Sequence, residues 1–189
     1  MSVKSGKITF EGKTYRVSKE NRVGAELGHQ SDGVYSGNNT FSGGIFYNNL
    51  VTLTADTTLT QAAHAGRTIL LGEVGGDASL TATLPAASGT GDIYKFVVSV
   101  VNTSNYVIQV ANANDTIDGS VHLGLDDGAS KQFLTAAASD TITINATTKG
   151  GLRIGDTIII QDIASNQFTV TGLLAASGTI VTPFSAAVS

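Results

Sequence analysis

Three aspartates stand in the same local frame in the second half of the chain. They are Asp115 in NDTIDGS, Asp140 in SDTITIN and Asp156 in GDTIIIQD. A recurring carboxylate in a fixed setting could be a metal ligand or a general acid. It could equally be a turn residue, because Asp accepts hydrogen bonds from nearby backbone N–H groups and the following Thr and Ile favour a strand. Their separations of 25 and 16 residues are not a period, so we interpret all three as strand openings.

A second group of acids, Asp115, Asp118, Asp126 and Asp127, could supply oxygen ligands to calcium. A calcium loop needs Asp-x-Asp-x-Asn-Gly followed by Glu, and that spacing is missing. Asp126-Asp127-Gly128 is instead typical of a turn. The sequence leaves a calcium ion near residues 115–127 as an open alternative. A glycosidase pair would need substrate-stacking aromatics, whereas Trp is absent and the five tyrosines are scattered.

Histidine and serine could form a nucleophilic site, with Asp118, Ser120 and His122 as a local set. A hydrolase would place its serine on a Gly-x-Ser-x-Gly elbow, which this chain lacks. His29 and His64 are distant and form no ligand pair. No Gly-x-x-x-x-Gly-Lys-Ser/Thr phosphate loop occurs either. The sequence therefore predicts no catalysis, no metal and no cofactor.

The elements that position these residues are strands. Only 14% of residues are charged, against about 25% in an average domain, and Thr, Val and Ile are frequent. From residue 50 onward, nine or ten short apolar segments follow one another at intervals of about 10–15 residues. We predict an all-β fold, an antiparallel β-sandwich of jelly-roll type over residues 49–189. The absence of a fixed repeat disfavours a parallel β-helix.

Particular segments carry finer expectations about burial. IYKFVVSVV at 93–101 is apolar on both faces, which predicts a central strand. The run Ile158, Ile159 and Ile160 predicts a strand covered on both faces, whereas TITIN at 141–145 alternates as a half-exposed strand does. After Asp115 the extended run is expected to stop at once in a DGS turn. The Ala-rich segments TQAAHAGR and TAAASD are too short for independent helices.

Residues 1–48 differ from the rest and are expected to form an extended arm. KITFEGKTYRV predicts a β-hairpin, with Ile8 and Phe10 before the turn and Tyr15 after it. A Gly- and Asn-rich stretch with embedded aromatics follows at 36–49, which suggests a segment lying against its own domain or a neighbouring subunit, with a flexible linker as the alternative. Residues 1–48 carry six bases and four acids, whereas residues 49–189 carry five bases and eleven acids. This split favours two parts that face different partners.

Other partners and compartments are disfavoured by composition. The basic part is too small and mixed to predict nucleic-acid binding. MSVKSGKITF has no apolar export segment, and no apolar run approaches the roughly 18 residues of a membrane span. Cysteine is absent, which excludes disulfides and thiolate metal sites.

Residues 50–184 resemble a β-domain common in virion proteins of tailed bacteriophages. The resembling features are ASLTATLPAASGTGDIYKFVVSVVNTSNYVIQVA, then NDTIDGS, GASKQF, GDTIIIQDIASNQFTVTG and a terminal SGTIVTPF. Such domains occur in capsid decoration proteins, also called cement proteins or head fibres, which sit as trimers outside the shell. The resemblance implies a non-enzymatic homotrimer on the outer capsid surface of the virion. Its partner would be the major capsid protein, and assembly would take place in the host cytoplasm.

The arm is the part expected to contact the capsid, through seven residues that are aromatic, aliphatic or basic: Ile8, Phe10, Tyr15, Arg16, Phe41, Phe46 and Tyr47. The alternative function is a receptor- or glycan-binding β-domain of a tail fibre or surface adhesin, with a host surface glycan as partner. A polysaccharide-cleaving enzyme depending on Asp118 or Asp126 ranks third.

Overall fold

The computed structural model describes residues 6–10, 13–17, 50–73 and 78–188. The chain divides into two compact units, Met1–Phe46 and Tyr47–Ser189. In the first unit, β1 (Gly6–Phe10) and β2 (Lys13–Val17) pair antiparallel, with Ile8 opposite Tyr15. The hairpin expected from the sequence is therefore confirmed.

The second unit is an all-β sandwich of two mixed sheets, which confirms the predicted class. The large sheet has the order β10-β9-β13-β12-β7-β5-β3 and the small sheet the order β14-β11-β8-β6-β4. Its elements are β3 (Leu50–Leu53), β4 (Thr57–Thr58), α1 (Gln61–His64), β5 (Thr68–Leu71), β6 (Leu80–Thr83), β7 (Ile93–Val98), β8 (Tyr106–Gln109), β9 (Thr116–Leu125), β10 (Ser130–Leu134), β11 (Thr141–Ile144), β12 (Thr157–Ala164), β13 (Gln167–Ala176) and β14 (Phe184–Ser185).

The first six strands of this unit wind as a solenoid does. The chain alternates between the sheets, and β5, β6, β7 and β8 each pair in parallel with the strand two places earlier. The predicted antiparallel pairing was wrong for this half, which has the parallel pairing of the β-helix that the sequence disfavoured. Paired residues lie between 18 and 27 positions apart, as in Leu50 with Thr68 and Thr68 with Lys95. Coils of such unequal length leave no fixed repeat in the sequence.

The last six strands complete both sheets. β12 pairs antiparallel with β7 and β13, β9 lies parallel to β13, and β10 forms an antiparallel hairpin with β9. In the small sheet, β11 pairs antiparallel with β8 and β14. A jelly roll is built from antiparallel Greek keys, so this mixed pairing does not confirm the jelly-roll expectation.

The core lies between the two sheets and takes alternate residues from each strand. Tyr94, Phe96, Tyr106 and Phe168 are its largest fully buried side chains. β7 occupies an interior position in the large sheet, as expected for a central strand. Burial on both faces was a wrong prediction, because Ile159 on β12 is 38% exposed and β7 alternates between buried and exposed positions.

The helix α1 is a single turn, and its N-cap Thr60 accepts a hydrogen bond from the Ala63 N–H. TQAAHAGR, which was expected to be too short for an independent helix, contains this single turn. Within the described ranges, no helix is long and apolar enough to cross a membrane.

Candidate interaction surface

The three repeated aspartates all open strands, as expected. Thr116, Thr141 and Thr157, each directly after one of them, are the first residues of β9, β11 and β12. The predicted stop after Asp115 was wrong, because β9 continues through DGS for ten residues. It can do so because Gly119 adopts φ +142°, in the region that glycine tolerates and other residues rarely adopt.

These carboxylates are buried, and they bind backbone far away in sequence. Asp115 is 1% exposed and accepts the N–H of Ala87 at 3.2 Å. Asp140 accepts the N–H groups of Ala187 and Val188 at 2.8 and 3.2 Å, which fixes the C-terminal segment. Sequence reasoning placed their hydrogen bonds in local turns and missed this reach. Each carboxylate joins a strand opening to another part of the domain.

Asp156 follows the same pattern. Its Oδ2 accepts the N–H groups of Gly151 at 3.0 Å and of Ala175 at 2.9 Å. Burial raises the pKa of Asp156 above its ordinary value, although backbone N–H donors and the nearby Arg153 charge oppose that rise.

Asp162 is the most extensively bonded acid of the described residues, and sequence analysis did not single it out. Its carboxylate accepts the backbone N–H groups of Ser88, Gly89 and Thr90, at 2.7 Å from Gly89. The Thr90 hydroxyl donates to it at 3.0 Å. Burial raises the pKa of Asp162, but these hydrogen bonds outweigh that effect and hold it below the ordinary value. The loop at 88–90 is thereby held against β12.

The acids considered as calcium ligands lie in different settings. Asp126 pairs with Arg153 at 3.3 Å on the surface, and Asp127 accepts the Ala129 N–H within its own turn. Asp118 accepts the Gln167 side-chain amide at 2.7 Å. Over the ranges that the structure describes, no three His, Cys, Asp or Glu residues are grouped so that they could hold a metal.

The Asp118, Ser120 and His122 set lies along one face of β9, where alternate residues are about 7 Å apart. Ser120 Oγ accepts the Gln132 amide at 2.9 Å. No hydrogen bond joins the three to one another among the described contacts, so the geometry of a catalytic triad is not present there. His64, also considered, is buried and bonds through Nδ1 to the Thr60 backbone, while His29 lies outside the described residues.

The large sheet presents an exposed face, here called the outer face, that is apolar for a surface. Three cross-strand rows form it. With β10 included, they are Thr52, Leu70, Val97, Thr157, Leu173, His122 and Gln132; Leu50, Thr68, Lys95, Ile159, Thr171, Ser120 and Leu134; and Ile93, Gln161, Thr169 and Asp118. Leu173 is 70% exposed and Leu50 is 59% exposed. Lys95 and Asp118 are the only Lys, Arg, Asp or Glu residues in these rows, so the face resembles a surface that binds protein.

A shallow groove of about 330 Å³ lies near the middle of the outer face, between Ile159 and Leu173. The depression forms because the side chains of Ser120 and Thr171 are small. Leu173 also lines a neighbouring depression with Ile154, which is 72% exposed. Sequence reasoning missed this surface, although the outward register of Ile159 and Leu173 in otherwise alternating strands was a usable signal.

Of the residues expected to contact a capsid, Ile8 and Phe10 lie on β1, and Tyr15 and Arg16 lie on β2. The backbone pairing places Arg16 opposite Lys7. The remaining three, Phe41, Phe46 and Tyr47, lie outside the described residues. No protein-family profile matches this chain, and no similar curated protein or solved structure was found.

Proposed function

We propose that this chain is a structural protein of a tailed-bacteriophage virion, a decoration or cement protein that binds the outer capsid surface and stabilises the shell. It acts as a homotrimer and performs no catalysis. The resemblance of residues 50–184 to virion β-domains supports the viral context.

The structural observation that carries the proposal is the outer face. Exposed aliphatic side chains on a regular sheet favour association with another protein surface. A protein that binds the assembled shell stabilises it, and stable binding between proteins requires buried contact area. The buried aspartates support this role, since they fix loops and the C-terminal segment of the domain.

Contact with the major capsid protein is assigned to residues 1–48, through Ile8, Phe10, Tyr15, Arg16, Phe41, Phe46 and Tyr47. Their mixture of aromatic and basic groups is typical of interface anchors. The excess of bases in this part, against the acidic remainder, favours separate partners for the two units.

Binding to undecorated shells tests the proposal. Purified full-length protein is expected to cosediment with the shells at saturating, stoichiometric occupancy and to raise their thermal disruption temperature. A variant lacking residues 1–48 is expected to lose occupancy while its β-domain keeps a cooperative unfolding transition. Absence of full-length binding would refute the decoration function, and unchanged binding of the variant would refute the docking assignment. Glycan-array binding without shell binding would favour the receptor-binding alternative.

A further inference from the structure

We infer that the outer face is the surface through which copies of this chain associate, with Lys95 of one copy paired to Asp118 of the next. The inference rests on the proposed function, which requires an oligomer, and it names the surface that forms this oligomer. It goes further in assigning the residues that hold the copies in register.

The two charges lie on opposite sides of the same face. Lys95 is on β7 and Asp118 on β9, with β12 and β13 between them. Three strand spacings separate them by about 14 Å, which is too far for an ion pair within one chain. Within the described contacts, Lys95 has no hydrogen-bond or ion-pair partner, and Asp118 accepts the Gln167 amide while remaining partly exposed.

A rotational symmetry axis can bring Lys95 of one copy close to Asp118 of another. An axis parallel to the strands, above the seam between β12 and β13, brings the β7 side of one copy against the β9 side of the next. The match holds for two or for three copies in a closed ring. Lys95 lies beside Ile159, and Asp118 lies beside Thr169, which is one outward position further along. The resulting offset is about 7 Å, which the four-carbon stem of a lysine can span.

The centre of the same face is apolar. Ile159 on β12 and Leu173 on β13 flank the proposed axis and line the groove there. Lys95 and Asp118 flank these two apolar residues on either side, and apolar contacts bordered by polar groups are common in specific interfaces. Because both signs of charge lie on one face, the face complements a second copy of itself. The rows of the outer face contain one base and one acid, so the face has no excess charge that would favour a strongly acidic or strongly basic partner.

The test is sedimentation velocity on the full-length protein and five variants across a concentration series. Wild type is expected to form a closed oligomer of two or three copies. Leu173→Asp, Lys95→Asp and Asp118→Lys are each expected to weaken association at least about tenfold, and the Lys95→Asp/Asp118→Lys double variant to recover most of that loss. Val181→Asp, at a residue 43% exposed outside the three rows, is the matched control for adding a charge. Thermal unfolding of every variant checks that it is folded.

Several results would overturn the inference. They are a monomeric wild type at about 100 μM, a Leu173→Asp effect no larger than that of Val181→Asp, and a double variant that recovers nothing. The outcome is separable from that of the shell-binding assay. A wild-type oligomer sensitive to Leu173→Asp that does not bind shells would refute decoration and retain this interface. A monomeric wild type that binds shells would refute this interface and retain the decoration function.

Discussion

Replacement of Asp162 by alanine is expected to produce a large loss of stability far from any proposed interface. The carboxylate is 3% exposed, and it accepts three consecutive backbone N–H groups together with the hydroxyls of Ser88 and Thr90. Asp162→Ala removes every one of these acceptors at once. The 88–90 loop then loses its side-chain anchor on β12, while backbone bonds such as that from the Gly91 N–H to the Asp162 carbonyl oxygen at 3.0 Å remain.

The expected magnitude follows from those contacts. A hydrogen bond to a charged group contributes about 1.5–3 kcal/mol, and an unsatisfied buried donor costs about 1–3 kcal/mol. Three lost N–H bonds would give a larger total, but residues 88–90 are exposed, so water can satisfy part of their donors. We therefore expect a loss of about 2–4 kcal/mol in the free energy of unfolding. For a chain of this size, that lowers the melting temperature by about 5–15 °C.

The assay is urea and thermal unfolding followed by circular dichroism, with hydrogen exchange read at the amides of residues 88–90. Asp126→Asn is the matched control, because its ion pair with Arg153 is 66% exposed on each side and contributes at most about 1 kcal/mol. Faster exchange at 88–90 is expected only in Asp162→Ala. If the two variants lose equal stability, or if exchange at 88–90 does not change, the assigned role of Asp162 is incorrect.

Two further predictions concern pH and glycine. Because the pKa of Asp162 is lowered in the folded protein, its carboxylate contributes stability that is present above the unfolded pKa near 4 and is lost as the pH falls. The loss of unfolding free energy caused by Asp162→Asn should therefore become smaller toward pH 3. The pKa of Asp156 is raised instead, so the loss of unfolding free energy caused by Asp156→Asn should become larger toward pH 3. Urea titrations at several pH values measure both effects, and the same pH trend in the two variants would contradict the opposite pKa shifts. Gly119→Ala should destabilise by more than about 3 kcal/mol, because its Cβ would lie 2.1 Å from the Val170 carbonyl oxygen at φ +142°. Gly124→Ala on the same strand meets nothing within 4 Å, and similar melting temperatures for the two variants would refute the steric argument.

The sequence predicted strand positions well where local chemistry determines them. The Thr after each repeated aspartate begins a strand, and the turn between β12 and β13 has Asn166 at φ +63°. What the carboxylates bind could not be predicted, since Asp162 meets residues 72–74 positions away. A usable signal was present, because Asp162 shares its inward register with Ile158 and Ile160. A charge at such a position must find donors in the fold.

Topology and the interaction surface were harder to predict. Strand periodicity indicates which residues alternate, but it carries no information on whether the next strand pairs in parallel or antiparallel. Coils of unequal length therefore concealed the solenoid-like half. Ile159 was expected to be buried because its neighbours are apolar, but its register opposite the inward-facing Ile158 and Ile160 places it outward with Leu173. The proposed capsid contacts remain sequence predictions.

The most direct test of the central claim is electron imaging of purified particles, with the protein located by a label at its C-terminus. A decoration protein should appear at repeated, symmetry-related positions on the outside of the capsid, in a copy number set by the shell lattice. Label found only at the tail or tail fibres, or absent from purified particles, would contradict the account.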